Sequence, residues 1–128
     1  MNIPFLCIFL AFLLNYLTKL PVGFAMAKMP GGYDNSEPRE QQATLTGWGK
    51  RALGAHMNGF EIFPAFAAAV IMAHIVGVDE HKLTILSITF IISRLLYILL
   101  YLANKDRLRS LVWFVGVLCV GTLFCMGI

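Results

Sequence analysis

Two short stretches concentrate most of the chemistry that this chain carries inside its apolar runs. The first, RALGAHMNGFEIFP (Arg51–Pro64), takes Arg51, His56, Asn58 and Glu61 into a hydrophobic segment. The second, SRLLYILLY (Ser93–Tyr101), places Arg94 near the middle of another. An ionisable side chain deep in a bilayer costs from about 2.5 kcal/mol upward, so each needs a partner or a task. At about 100° per helical residue, Arg51 and Asn58 nearly eclipse, and Glu61 lies about 60° from Asn58. His56 points about 120° or more away from Asn58 and Glu61. The spacing therefore predicts one face of Arg51, Asn58 and Glu61, with His56 serving another. Arg94, Tyr97 and Tyr101, at i, i+3 and i+7, form a single stripe. Glu61 is the obvious counter-ion for Arg94. Such a pair can hold a ligand, or it can merely fix the register of two helices. Arg51 sits at the start of its helix, where it can snorkel toward water.

Other chemistry is poorly served. His56 and Glu61 are five residues apart, whereas two ligands on one helix usually stand at i and i+3 or i+4, so the spacing argues against a metal site. There is no glycine-rich phosphate loop, and no serine or cysteine stands beside a plausible base. The three cysteines (Cys7, Cys119, Cys125) lie in apolar runs without C-x-x-C spacing and read as buried structural thiols. His74 and His81 flank the end of the second helix and read as interfacial.

These residues must be positioned by membrane helices. The chain has 128 residues, the length of one domain. Its hydrophobic share is 59% and its charged share 13%, against about 45–50% and about 25% in soluble domains. That composition reads as an integral membrane protein. The net charge of +3 is scattered over loops, without the basic run that nucleic acid would require. Ala25–Ala27 imitates a signal-peptidase site, but no lysine or arginine precedes the first apolar run, which reads as a retained span. Four spans are expected, at about residues 3–27, 45–76, 83–103 and 108–127, each near the roughly 20 residues that a bilayer core requires. The fold class is an all-α, four-transmembrane-helix bundle, a single domain over 1–128. Lys28, Arg39, Lys50 and Arg51 in the first loop region, and Lys105, Arg107 and Arg109 in the third, outnumber the lone Lys82 of the second. By the positive-inside rule, loops one and three face the cytoplasm and both termini face outward.

Taken together, the four spans, the Arg51–Pro64 segment and the RLLYILLY stripe resemble the MAPEG family, the membrane-associated proteins in eicosanoid and glutathione metabolism. The most specific part is R-x-x-x-A-x-x-N-x-x-E, here Arg51, Ala55, Asn58 and Glu61, followed by Pro64. The GGYDNSEPR loop (Gly31–Arg39) looks like bacterial members, which implies a bacterial inner membrane. The resemblance implies a homotrimer with glutathione held between subunits and a hydrophobic small-molecule substrate arriving from the lipid bilayer. It places Asn58 and Glu61 on glutathione, with Glu61 on the amino group and His56 at a polar position of the same site. It assigns Arg94, Tyr97 and Tyr101 to helix-three contacts and Arg109 to activation of the thiol. Two positions depart from the pattern: Gly54 stands where many eukaryotic members have arginine, and Ile62 where some have a ligand-contacting tyrosine. Three functions are thus set against one another. They are a glutathione-dependent transferase or peroxidase, a non-catalytic membrane protein that keeps the scaffold and binds a lipid or protein partner, and a small transporter gated by Glu61 and Arg94.

Overall fold

The computed structural model describes residues 1–128 as six helices: α1 (Ile3–Leu17), α2 (Lys19–Ala27), α3 (Pro38–Ala43), α4 (Gly47–Ile75), α5 (Glu80–Leu102) and α6 (Asp106–Gly127). Together α1 and α2 make one apolar stretch, so four segments are long and apolar enough to cross a membrane: Ile3–Ala27, Gly47–Ile75, Glu80–Leu102 and Asp106–Gly127. These match the four expected spans, with helix ends shifted by up to three residues. Two features differ from the expectation. The first span is interrupted at Thr18, and the loop after it contains the short helix α3.

Local chemistry explains both. Pro21 has no N–H for the Leu17 carbonyl and so breaks the ladder where α1 ends, and Thr18 turns its hydroxyl back to the Asn15 carbonyl at 2.9 Å. In the loop, Asp34 Oδ1 accepts from the backbone N–H of Ser36 (3.0 Å) and of Glu37 (3.1 Å), and Pro38 follows in the first turn of α3. Proline suits that position because its missing N–H would have had no helical partner. Gln41 then closes the loop on itself, accepting from Asp34 N–H at 2.9 Å and donating to the Gly32 carbonyl at 2.8 Å.

Two of the long helices, α4 and α5, end by one device. After α4, Gly77 takes φ +79°, and the Val78 N–H returns to the Ala73 carbonyl at 3.0 Å. After α5, Asn104 takes φ 58° and the Lys105 N–H returns to the Leu100 carbonyl at 2.9 Å. Both are left-handed caps that satisfy carbonyls otherwise orphaned at a helix end.

Helix α4 packs against α1, α2, α5 and α6, while α5 and α6 form the most extensive pairing. Lipid tails are as apolar as leucine, so helices in a bilayer associate through close packing of small residues. Gly116 of α6 illustrates this, because a Cβ there would stand 2.8 Å from Ser93 Oγ of α5. The core gathers Cys7, Ala11, Phe66, Phe90, Cys119 and Leu123, with Phe66 and Phe90 stacked at 3.9 Å. Cys7 and Cys119 are buried as expected; Cys125 is exposed, because α6 turns that face outward near its end.

Candidate functional site

The polar residues of α4 and α5 assemble from one turn beyond the Phe66–Phe90 stack, where Arg94 begins, toward the α5–α6 connection. Arg94 is only 5% exposed. Its Nη1 donates to Asn58 Oδ1 at 2.8 Å, and Asn58 Nδ2 donates to Glu61 Oε2 at 3.3 Å. The expected direct Glu61–Arg94 pair is therefore replaced by a relay through Asn58. The shorter side chain sits a turn nearer the guanidinium, and its amide can accept from one neighbour while donating to the other. Arg94 Nη2 is buried with no hydrogen-bond partner. Orphaned buried donors are rare, and one on a charged group is costly to leave unmatched.

The α5 stripe extends this relay. The Arg94 guanidinium lies 4.3 Å from the Tyr97 ring centre, Tyr97 meets Tyr101 edge-on at 5.6 Å, and Arg109 lies 4.3 Å from the Tyr101 ring centre. Guanidinium groups are held by the negative faces of aromatic rings at such distances. Arg94, Tyr97, Tyr101 and Arg109 thus form one continuous series from α5 to α6. Beside it, Tyr101 packs over Gly54, and a Cβ at position 54 would run into its hydroxyl. The missing side chain at Gly54 is therefore part of how Tyr101 is seated.

Of the eight residues singled out in the sequence, six meet here: Asn58, Glu61, Arg94, Tyr97, Tyr101 and Arg109. Arg51 remains apart. It is half-buried, makes no bond to the relay, and its Nε lacks a partner. His56 is turned to α1, as its helical angle requires. Its Nδ1 lies 2.8 Å from Thr18 Oγ1, and its ring meets Phe60 edge-on at 5.2 Å.

His56 also lines an open cavity of about 710 Å³, with Tyr16, Lys19, Tyr33, Arg39 and Glu61 on its walls. Small-molecule pockets typically span about 300–1,000 Å³. The division into two separate faces is thus incomplete, since Glu61 is bonded to Asn58 and yet borders the His56 cavity. Lys19, Tyr33 and Arg39 escaped the sequence reading as site residues because only the packing of α2 and of the folded connection after it brings them beside α4. Lys19 lies 5.6 Å from the Tyr33 ring centre. The one available signal was a lysine placed inside the first apolar run.

A four-span bundle with a polar, arginine- and tyrosine-rich site at one end defines the class: an integral, multi-pass membrane protein. The model of the MAPEG family matches residues 3–128, and the chain belongs to that family. Membership makes this a membrane protein of the glutathione and eicosanoid metabolism family. Neither the curated proteins nor the solved structures offer a match to this chain.

Proposed function

We propose that this protein is a glutathione-dependent membrane transferase or peroxidase acting on hydrophobic electrophiles, and that it works as a homotrimer. The observation that carries this reading is the buried Arg94 guanidinium, with one N–H committed to Asn58 and another unpartnered, beside the carboxylate of Glu61. A site with both signs of charge suits a ligand that carries an ammonium group and carboxylates, as glutathione does. Glu61 would take the ammonium, while Arg94 and the cavity cations Lys19 and Arg39 would take carboxylates. When bound, glutathione supplies a thiol whose anion is the nucleophile.

The chain's own contribution is to hold positive charge where that anion forms. Arginine keeps its proton at any physiological pH, and a nearby guanidinium favours thiolate over thiol. Arg109 is assigned this role because Tyr101 fixes its guanidinium while leaving its N–H groups free to bond. Tyr97 and Tyr101 orient the two arginines, and Asn58 keeps Glu61 in reach of them. A neighbouring subunit is supported by Glu61, an exposed carboxylate within a membrane span, and the number three comes from the family resemblance. Lipid would leave that charge unmet, whereas a neighbouring subunit and a shared ligand would cover it.

Calorimetric titration of the detergent-purified protein with glutathione tests the reading. A saturable heat that Arg94→Ala removes is expected. No heat at millimolar glutathione would sink it and leave the non-catalytic scaffold as the better account. Sedimentation in detergent tests the trimer separately, and a monomer would overturn that part.

A further inference from the structure

The contact between His56 and the break in the first span fixes more than packing. Thr18 Oγ1 lies 2.9 Å from the Asn15 carbonyl and 2.8 Å from His56 Nδ1. A threonine hydroxyl has one proton and two lone pairs. The carbonyl can only accept, so the single hydroxyl proton goes to Asn15. Both contacts are then satisfied only if the second runs the other way, from an Nδ1–H to Thr18 Oγ1. In a neutral imidazole one ring nitrogen carries hydrogen and the other a lone pair. The hydrogen on Nδ1 leaves the lone pair on Nε2.

We propose that Thr18 is a positioning residue which holds His56 in its Nδ1–H tautomer, so that Nε2 offers the cavity a hydrogen-bond acceptor. Several observations bear on this beyond the tautomer itself. Thr18 is 6% exposed and His56 8%, so water competes poorly for either group. The edge-on Phe60 ring limits rotation of the imidazole. The charged and titratable groups facing the same space are Tyr16 of α1, Lys19 of α2, Tyr33 of the loop, Arg39 of α3 and Glu61 of α4. Lys19 and Arg39 can only donate, and the two tyrosines are able to. Apart from Glu61, Nε2 is the one basic acceptor those side chains provide. It selects for a ligand that combines acidic groups for the cations with an N–H, O–H or S–H donor for His56. The tautomer stands independently of glutathione; the claim that Nε2 takes a hydrogen bond from that ligand rests on the reading above.

The test is long-range proton–nitrogen correlation on protein labelled with ¹⁵N-histidine, at about pH 8, where an unperturbed imidazole is neutral. The His56 signals are identified by their loss in His56→Gln. Native protein is expected to show a protonated Nδ1 and a bare Nε2. Thr18→Ser keeps the hydroxyl and should keep that pattern. Thr18→Val keeps the shape, loses the acceptor oxygen, and should shift His56 toward the Nε2–H form. Its glutathione Kd should rise about tenfold, the size of one lost hydrogen bond, while Thr18→Ser stays near native. A native Nε2–H or imidazolium pattern overturns the proposal, and needs no variant to fold. So does a Thr18→Val spectrum identical to the native one. If calorimetry shows glutathione bound and His56 Nε2 does not respond, the acceptor role is refuted. If calorimetry shows no binding, the glutathione reading fails while the spectrum still decides the tautomer.

Discussion

The two halves of this bundle meet within one turn of α5, between Phe90 and Arg94, and obey opposite rules. At the Phe66 end, Cys7, Ala11, Ala69, Val70, Leu83 and Phe90 close around a stack of two rings with little beyond apolar contact. At the Arg94 end, Asn15, Thr18, His56, Ser93 and Arg94 are all buried, and most of the long-range side-chain bonds between spans are found there. The difference separates stability from chemistry. The first end holds helices by shape, and any side chain of the right volume would serve. The second holds them by proton and charge matching, where one lost partner leaves another group stranded.

That contrast can be broken by substitution at either end. Phe66→Ala should have the largest effect, about 3–5 kcal/mol of stability, because a dry ring stack leaves a cavity when one ring goes. Thermal unfolding in detergent checks it, and glutathione affinity per folded molecule should be unchanged. Arg94→Ala comes next, with a loss of about a hundredfold in glutathione affinity, or roughly 2.7 kcal/mol, read by calorimetry. It strands Asn58 and Glu61, so Arg94→Lys, which restores charge without the planar fork, should recover only part. If Arg94→Ala lowers the melting temperature but leaves ligand affinity intact, the polar end is structural and the contrast collapses.

A smaller change should follow from Gly54→Ala. A methyl group there displaces the Tyr101 hydroxyl and with it the support of Arg109, lowering thiol-transfer turnover about tenfold, or about 1.4 kcal/mol in the barrier. Steady-state kinetics with a hydrophobic electrophile would show this as a fall in kcat larger than any rise in KM. The smallest effect belongs to a helix end remote from the dry core. Asn104 holds φ 58°, a conformation that glycine adopts without steric cost. Asn104→Gly should therefore change stability by less than about 1 kcal/mol, measured as a small shift in Tm.

The same contrast marks what could be read from the sequence. The four spans were legible because hydropathy integrates over some twenty residues, and no single side chain can hide such a run. The i, i+3, i+7 stripe of Arg94, Tyr97 and Tyr101 was legible because helical spacing alone sets it. The relay was not. Glu61 and Arg94 looked complementary in charge, and only the depth of each helix showed that Asn58 comes between them. Thr18 was invisible for a similar reason, since a threonine in an apolar run is ordinary until its hydroxyl is seen to be shared between a carbonyl and an imidazole. Tyr33 and Arg39 reach the cavity along a connection whose path depends on Asp34 and Gln41, and Lys19 through the break at the start of α2, tertiary facts with no periodic signature. Gly54 read as a gap in a motif, and the structure makes it the seat of Tyr101.

Finally, Cys7 and Cys119 are buried, and Cys125 is exposed. Cys125 sits within the last span, so its sulfur lies open to lipid or to a neighbouring subunit, and it is the one thiol of the three that a lipid-soluble maleimide would reach without mutagenesis. Labelling that falls on assembly and rises when harsh detergent separates the subunits would place this face of α6 at a subunit contact; labelling indifferent to assembly would place it toward lipid.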